Sequence, residues 1–323
     1  MNHSNESSLV SSSEKSTTEE NIGLKVFFIC LFVSISLLHL IIQFIIQKKR
    51  LHDNQYYLIR VLSLTDLFVV VTSCVLVVNT LFQFTNRIGL VFISMLIYIG
   101  LSYSLIVTLI IAFDRWIAVK WCLQYYTLFS RVRINTALVI LGVINAVILS
   151  YLFYMYEVEN SSGVMKTFYL NDGTVMYVTF VRTVSCVLLI VMGKLTIYLR
   201  DQSEIKMKLR TNLHGAEAEQ LDRTKQLKRS IKDVFKLNLW TCIFLLPMII
   251  TSAFFISTIS QEKKEHLLLI NGFVTYVYNL SNPIIYLTCF SKIRLYLMSL
   301  FQRQVIPDAN VTQQEPENFD STG

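Results

Sequence analysis

The sequence predicts an all-α membrane protein: a seven-transmembrane-helix bundle followed by a short amphipathic eighth helix. Three observations predict it. The 323 residues are 53% hydrophobic and only 16% charged, where a soluble domain averages about 25% charged. Seven sparsely charged stretches lie near 24–47, 56–80, 88–118, 134–156, 174–199, 233–257 and 267–289. Each is long enough to cross ~30 Å of hydrocarbon, which takes about 20 helical residues. Lys and Arg also gather in every second linker, as topology in a bilayer requires. Ten Gly and four Pro are too few for a loop-rich or collagen-like chain.

Residues 1–23 are rich in Ser, Thr, Asn and Glu and are expected to be an extracellular disordered N-terminus. They hold no apolar core for a cleavable signal peptide, so the first span is expected to act as its own insertion signal. Residues 24–289 form the bundle. In 290–303, "FSKIRLYLMSLFQR", Lys292, Arg294 and Arg303 alternate with Ile293, Tyr296, Leu297 and Leu300, the pattern of a helix lying on a membrane surface. Residues 304–323 are polar and acidic and read as a disordered cytoplasmic tail.

Orientation follows from the basic residues. Lys48, Lys49 and Arg50 follow span one; Lys120, Arg131 and Arg133 follow span three. Eight Lys and Arg, from Arg200 to Arg229, follow span five, and Lys292, Arg294 and Arg303 follow span seven. The other side carries Lys15, Lys25, Arg87, Lys166, Lys263 and Lys264. The N-terminus is therefore expected outside and the C-terminus in the cytoplasm of a multi-pass plasma-membrane protein. The formal charge of +7 is explained by this asymmetry and suggests no nucleic-acid partner. The sequons at Asn2, Asn5 and Asn160 fall on the outer side and are the expected glycan sites. Cys30, Cys74, Cys122, Cys186, Cys242 and Cys289 all fall in spans or on the inner side, so no structural disulfide is expected. No metal-ligand spacing and no nucleophile–base cluster occurs, which disfavours an enzyme.

Span three poses the main chemical question. No charged residue occurs from Ile88 to Phe113, and then Asp114 and Arg115 are adjacent. By itself such a pair can be a snorkelling boundary marker. It continues, however, as D-R-W-I-A-V-K-W-C-L-Q-Y (114–125), which resembles the D-R-Y-x-x-V-x-x-P-L-x-Y pattern of rhodopsin-like (class A) G-protein-coupled receptors. "LSLTDL" (62–67) in span two and "NPIIY" (282–286) in span seven resemble that family's L-x-x-x-D-L and N-P-x-x-Y. Three motifs in order, in spans two, three and seven, carry the resemblance over roughly residues 24–302. The inner stretch "CLQYYTLFSRVRI" is partly similar to melanocortin receptors, which also lack the span-three cysteine.

The chain departs from the family pattern in several places. Leu38-His39 stands where span one usually has Gly-Asn. Spans four and five lack their usual Trp and Pro. Leu245 stands where span six usually has Trp two residues before Pro247, and Leu90 lies where the span-three cysteine is expected. These departures bear on the activation relay and leave the fold expectation standing.

The resemblance implies a receptor that passes an extracellular ligand signal to a cytoplasmic heterotrimeric G protein. Asp114, Arg115, Leu123, Asn282, Pro283 and Tyr286 would be its switch: Arg115 pairs with Asp114 at rest and engages the G protein when span six swings out. Leu123 would plug a pocket on the G protein, and the basic linker 200–232 would meet acidic surfaces and the anionic leaflet. Asp66, Ser104, Asn279 and Asn282 would form a polar cluster that in the family binds sodium or water; no other cofactor is implied. Tyr98, Arg182 and Tyr276 are expected to line the ligand pocket. Arg182 sits about eight residues into span five, or ~12 Å deep at 1.5 Å per residue, so an anionic ligand is expected. Ile97 and Tyr98 stand where amine receptors carry an Asp, which argues against amines. Span seven has no Lys, so a retinal-bound light sensor is excluded. A non-signalling decoy receptor is the alternative, with a transporter behind it, since no internal repeat is visible.

Overall fold

Hydrocarbon offers no water to satisfy backbone N–H and C=O groups, so a long apolar run that crosses it must satisfy them internally. Each of the seven runs does so as a helix. The computed structural model describes residues 6–48, 54–82, 85–121, 124–160, 172–211, 217–256, 261–290, 293–295 and 297–299. In order the helices are α1 (Glu6–Lys48), α2 (Asn54–Phe82), α3 (Arg87–Lys120), α4 (Tyr125–Leu128), α5 (Arg131–Asn160), α6 (Asp172–Thr211), α7 (Glu217–Ile256) and α8 (Gln261–Cys289). Spans one to three are α1 to α3, α4 is a single turn in the linker between α3 and α5, and spans four to seven are α5 to α8. No strand occurs among the described residues.

Six of these helices carry a described stretch long and apolar enough to cross a membrane. The seventh, α8, is also long enough at 29 residues, but Asn271, Asn279, Ser281 and Asn282 make it more polar. Neighbours in sequence pack side by side: α1 on α2, α2 on α3, α6 on α7, and α7 on α8. Helix α3 also reaches α5, α6 and α7, and α8 closes the ring against α1 and α2. Small residues permit the tightest approaches. A Cβ at Gly100 would lie 2.5 Å from Val69 Cγ2, so α2 and α3 meet at a distance only glycine allows.

One apolar core joins Ile42, Leu58, Leu62, Ile111, Leu237, Tyr286 and Ile293. A second joins Leu105, Cys186, Leu189, Leu245 and Met248 of α3, α6 and α7. The outward faces are equally apolar: Val139, Ile140, Val143, Ile144 and Val147 of α5 are all exposed. Such a stripe fits lipid, which is as apolar as leucine.

The helices overrun the expected spans. Helix α1 begins at Glu6, although residues 1–23 are expected to be disordered; α6 runs on to Thr211, and α7 starts at Glu217 rather than near 233. Hydropathy marks only the part of a helix that suits hydrocarbon. Once nucleated, a helix gains a hydrogen bond for each added residue, and the Glu, Gln, Lys, Leu and Ala opening α7 are good helix formers. Past Cys289, residues 293–295 and 297–299 are helical, with Phe290 and Ile293 fully buried and Leu295 and Met298 exposed. Residues 304–323 lie outside the described residues. Cys30, Cys74, Cys186, Cys242 and Cys289 are unpaired.

Candidate functional site

Three polar sites are buried along the bundle. The first lies where α3 ends. Asp114 and Arg115 are 0% and 9% exposed, so neither ion reaches freely into solvent. Arg115 donates from Nε to Asp114 Oδ2 at 2.7 Å and from Nη2 to the same oxygen. The other carboxylate oxygen accepts from the Tyr125 hydroxyl. That hydroxyl accepts in turn from Arg115 Nη2 (3.4 Å) and Asn54 Nδ2 (3.5 Å). Asn54 also donates to the Phe129 carbonyl at 2.7 Å. The turn of α4 thus holds Tyr125 over the ion pair, and α2 clamps the linker. Burial, and then the Asp114 carboxylate, push the Tyr125 phenol well above its ordinary value, so it remains a donor. Beside the pair, Lys120 Nζ stands over the rings of Trp116 and Trp121 at 4.8 and 4.3 Å, a cation–π arrangement that keeps this end of α3 electropositive.

The second site is Asp66, fully buried in α2. Its Oδ1 accepts from Ser104 at 2.6 Å; its Oδ2 accepts from Tyr286 at 2.6 Å and Asn282 at 3.1 Å. Helices α2, α3 and α8 therefore meet on one carboxylate. Pro283 lies within α8 and has no N–H to donate to the helix ladder. The amide oxygens of Asn279 and Asn282 are buried with no hydrogen-bond partner among the described residues. Unpaired hard oxygens beside a carboxylate suit a hard cation or a bridging water, so these residues fit a sodium ion. His39 abuts the cluster: its Nδ1 lies 3.0 Å from Ser63 Oγ, its ring centroid 6.3 Å from that of Tyr286. Close by, Trp240 of α7 donates to Ser281 of α8 at 2.9 Å.

The third site lies at the other end of the bundle. Arg182 of α6, 4% exposed, donates from Nη1 to Ser252 Oγ of α7 and Asn271 Oδ1 of α8, both at 3.3 Å. Three helices thus meet at one cation. Tyr98 of α3 packs against Phe153 of α5, with ring centroids 6.1 Å apart and planes tilted by 42°.

The family described as 7 transmembrane receptor (rhodopsin family) matches residues 39–286, well over half the chain. The protein belongs to the rhodopsin family of seven-transmembrane receptors. No curated protein matches this receptor closely enough to add a relative. The match begins at His39, in the span-one stretch where the family's Asn is replaced, and closes on Tyr286.

Of the residues the sequence singles out, the receptor brings together Asp114 with Arg115, and Asp66 with Ser104, Asn282 and Tyr286. Asn279 sits on the same helix as Asn282 with its amide oxygen unpaired. Leu123, Asn2 and Asn5 lie outside the described residues, as do the side chains of Tyr276 and Asn160. Sequence reasoning missed Tyr125, Asn54, Ser252 and Asn271 as site members. Tyr125 had a signal, since it closes the motif that begins at Asp114; the other three are ordinary polar residues with none.

Proposed function

We propose that this receptor transmits an extracellular ligand signal to a cytoplasmic heterotrimeric G protein, with its N-terminus outside and C-terminus inside. The observation that supports this best is the Arg115 network. A buried guanidinium held by a neighbouring carboxylate and by a tyrosine of a one-turn helix is a closed contact at the membrane edge. Removal of either partner frees a charge-bearing fork suited to backbone carbonyls or carboxylates of an inserted partner. The Asp66 cluster couples α2, α3 and α8, so a shift of α8 at Asn282 and Tyr286 alters packing against α3. Asp66, Ser104, Asn279 and Asn282 would hold a sodium ion, whose charge would balance the buried carboxylate at rest. Leu123 and the basic linker 200–232 are the proposed docking surface for the G protein and the inner leaflet.

A panel of G-protein dissociation sensors in cells expressing the receptor tests this directly, beginning with basal activity. Arg115→Ala and Leu123→Asp should each abolish coupling at largely unchanged surface level. Coupling that survives in both variants would overturn the assignment, and silence in every sensor would favour a non-signalling receptor. Glycans on Asn2, Asn5 and Asn160 are expected, with the Asn310-Val-Thr sequon of the C-terminal tail unmodified; a glycan on Asn310 would reverse the orientation.

A further inference from the structure

A charge in the hydrocarbon region of a membrane protein is costly unless paired, and Arg182 is buried with no opposite charge paired to it among the described residues. Its two hydrogen bonds both leave from Nη1, both go to neutral oxygens, and both are long at 3.3 Å, against the ordinary 2.7–3.2 Å. Nε and Nη2 find no acceptor among the described residues, although a guanidinium carries five N–H donors. No Asp or Glu occurs in 67–82, 88–113, 134–156, 237–256 or 267–289; the acidic residues of this end of the bundle, Glu157, Glu159, Asp172, Glu262 and Glu265, fall in the terminal turns of α5, α6 and α8. The neutral partners are themselves fixed. Ser252 donates to the Met248 carbonyl at 2.7 Å, so it meets Arg182 only as an acceptor. Asn271 accepts through Oδ1, which leaves its NH2 as a spare donor. Together they hold one corner of the guanidinium and leave the Nε–Nη2 edge, the edge that forms two parallel bonds to a carboxylate.

We infer that Arg182, Ser252 and Asn271 form the anchoring end of a ligand site for a singly charged carboxylate. The inference rests on the chain being a ligand-binding receptor and names the ligand's chemical class. The count of charge selects the class. One carboxylate neutralises one guanidinium, whereas a phosphate monoester, with about −1.5 to −2 charges, would leave excess negative charge in a low-dielectric site. The Asn271 amide supplies a further donor to the bound oxygen. Because Nη1 already ties α6 to α7 and α8, an anion that pulls the guanidinium toward itself acts on both helices at once.

The test uses the full-length receptor in lipid nanodiscs and reads thermal unfolding. The probes are straight-chain and aryl carboxylates, each with its primary amide and the phosphate monoester of the same skeleton. At least one carboxylate is expected to raise the wild-type Tm by about 2–4 °C, where its amide and phosphate do not. The shift should be lost in Arg182→Gln and in Asn271→Asp, which supplies an internal carboxylate, and should be reduced in Arg182→Lys. Asn271→Asp retains the arginine, so the test stands even where Arg182→Gln fails to fold. The inference is overturned if no carboxylate exceeds its amide, if the phosphate monoester gives the larger shift, or if the shift survives in either neutralised variant. The readout needs no G protein, so failure of coupling leaves it intact. Conversely, basal coupling with a silent probe panel sinks this inference alone.

Discussion

The receptor buries two arginines near opposite ends of its bundle, and they are held in opposite ways. Arg115 has a carboxylate beside it in sequence and in space, with Tyr125 closing the other face. Among the described residues Arg182 has only a hydroxyl and an amide, 70 and 89 positions further along the chain. The first is a closed pair, its charges matched within the chain. The second is a standing positive charge oriented by neutral groups, which can be neutralised from outside the chain. Burial alone separates neither; the nature of the partner does.

Mutations at the two sites should therefore move stability in opposite directions. The largest effect is expected for Asp114→Ala, which leaves Arg115 buried without its carboxylate and should destabilise the receptor by about 3–5 kcal/mol. Thermal unfolding would show it, and basal G-protein dissociation should rise. An unchanged Tm would mean that Arg115 reaches water and the pair only marks the boundary. Asp66→Asn comes next: an amide cannot accept from Ser104, Asn282 and Tyr286 together, and stranding one donor costs about 1–3 kcal/mol. Any effect of sodium on agonist binding should vanish with it. Agonist binding insensitive to sodium in the wild type would remove the ion from the account.

Arg182→Gln should do the reverse of Asp114→Ala. It removes an uncompensated charge while keeping an amide near Ser252 and Asn271, and should raise the ligand-free stability by about 1 kcal/mol. A clear fall in Tm would show that Arg182 is structurally paired and would break the contrast. The smallest effect is expected for Tyr125→Phe, which loses one hydrogen-bonding hydroxyl, about 1 kcal/mol. Its pH dependence is set by sign. The folded-state phenol titrates above its unfolded value of 10.0, so its contribution is full below that value and is lost as pH rises through the folded one. The difference between wild type and Tyr125→Phe should be flat from pH 6 to about 9 and should shrink only in stronger alkali. A difference that disappears below pH 8 would contradict the placement of Tyr125 over Asp114.

Much of the first two sites was legible in the sequence and little of the third. Asp114 and Arg115 are adjacent, and a local pattern can be read wherever its members share one helix. Asn282, Pro283 and Tyr286 likewise lie within two turns of α8. That Tyr286 donates to Asp66 across 220 positions was not legible, because it depends on how α2 and α8 are rotated against each other. Arg182 stood out as a charge in an apolar run, yet its face on α6 could not be read without the proline that usually fixes it. Ser252 and Asn271 carried no signal at all.

The sequence by itself determined the number of spans, their apolar character and the spacing of the buried charges. Helical hydrogen bonds and hydropathy act within one segment, and a bilayer forces both onto any run of this length. It did not determine where the helices end, since helix propagation continues past the hydrocarbon that hydropathy detects: α1 and α7 begin well before their apolar runs. Only the tertiary structure decided which polar groups meet. Apolar helices in lipid have no hydrophobic preference for one another, so their rotation is set by close contacts such as Gly100 against Val69 and by buried hydrogen bonds between helices. Those contacts gave Asp66 three donors, set Tyr125 over Asp114, and left Arg182 with two neutral partners and no carboxylate among the described residues.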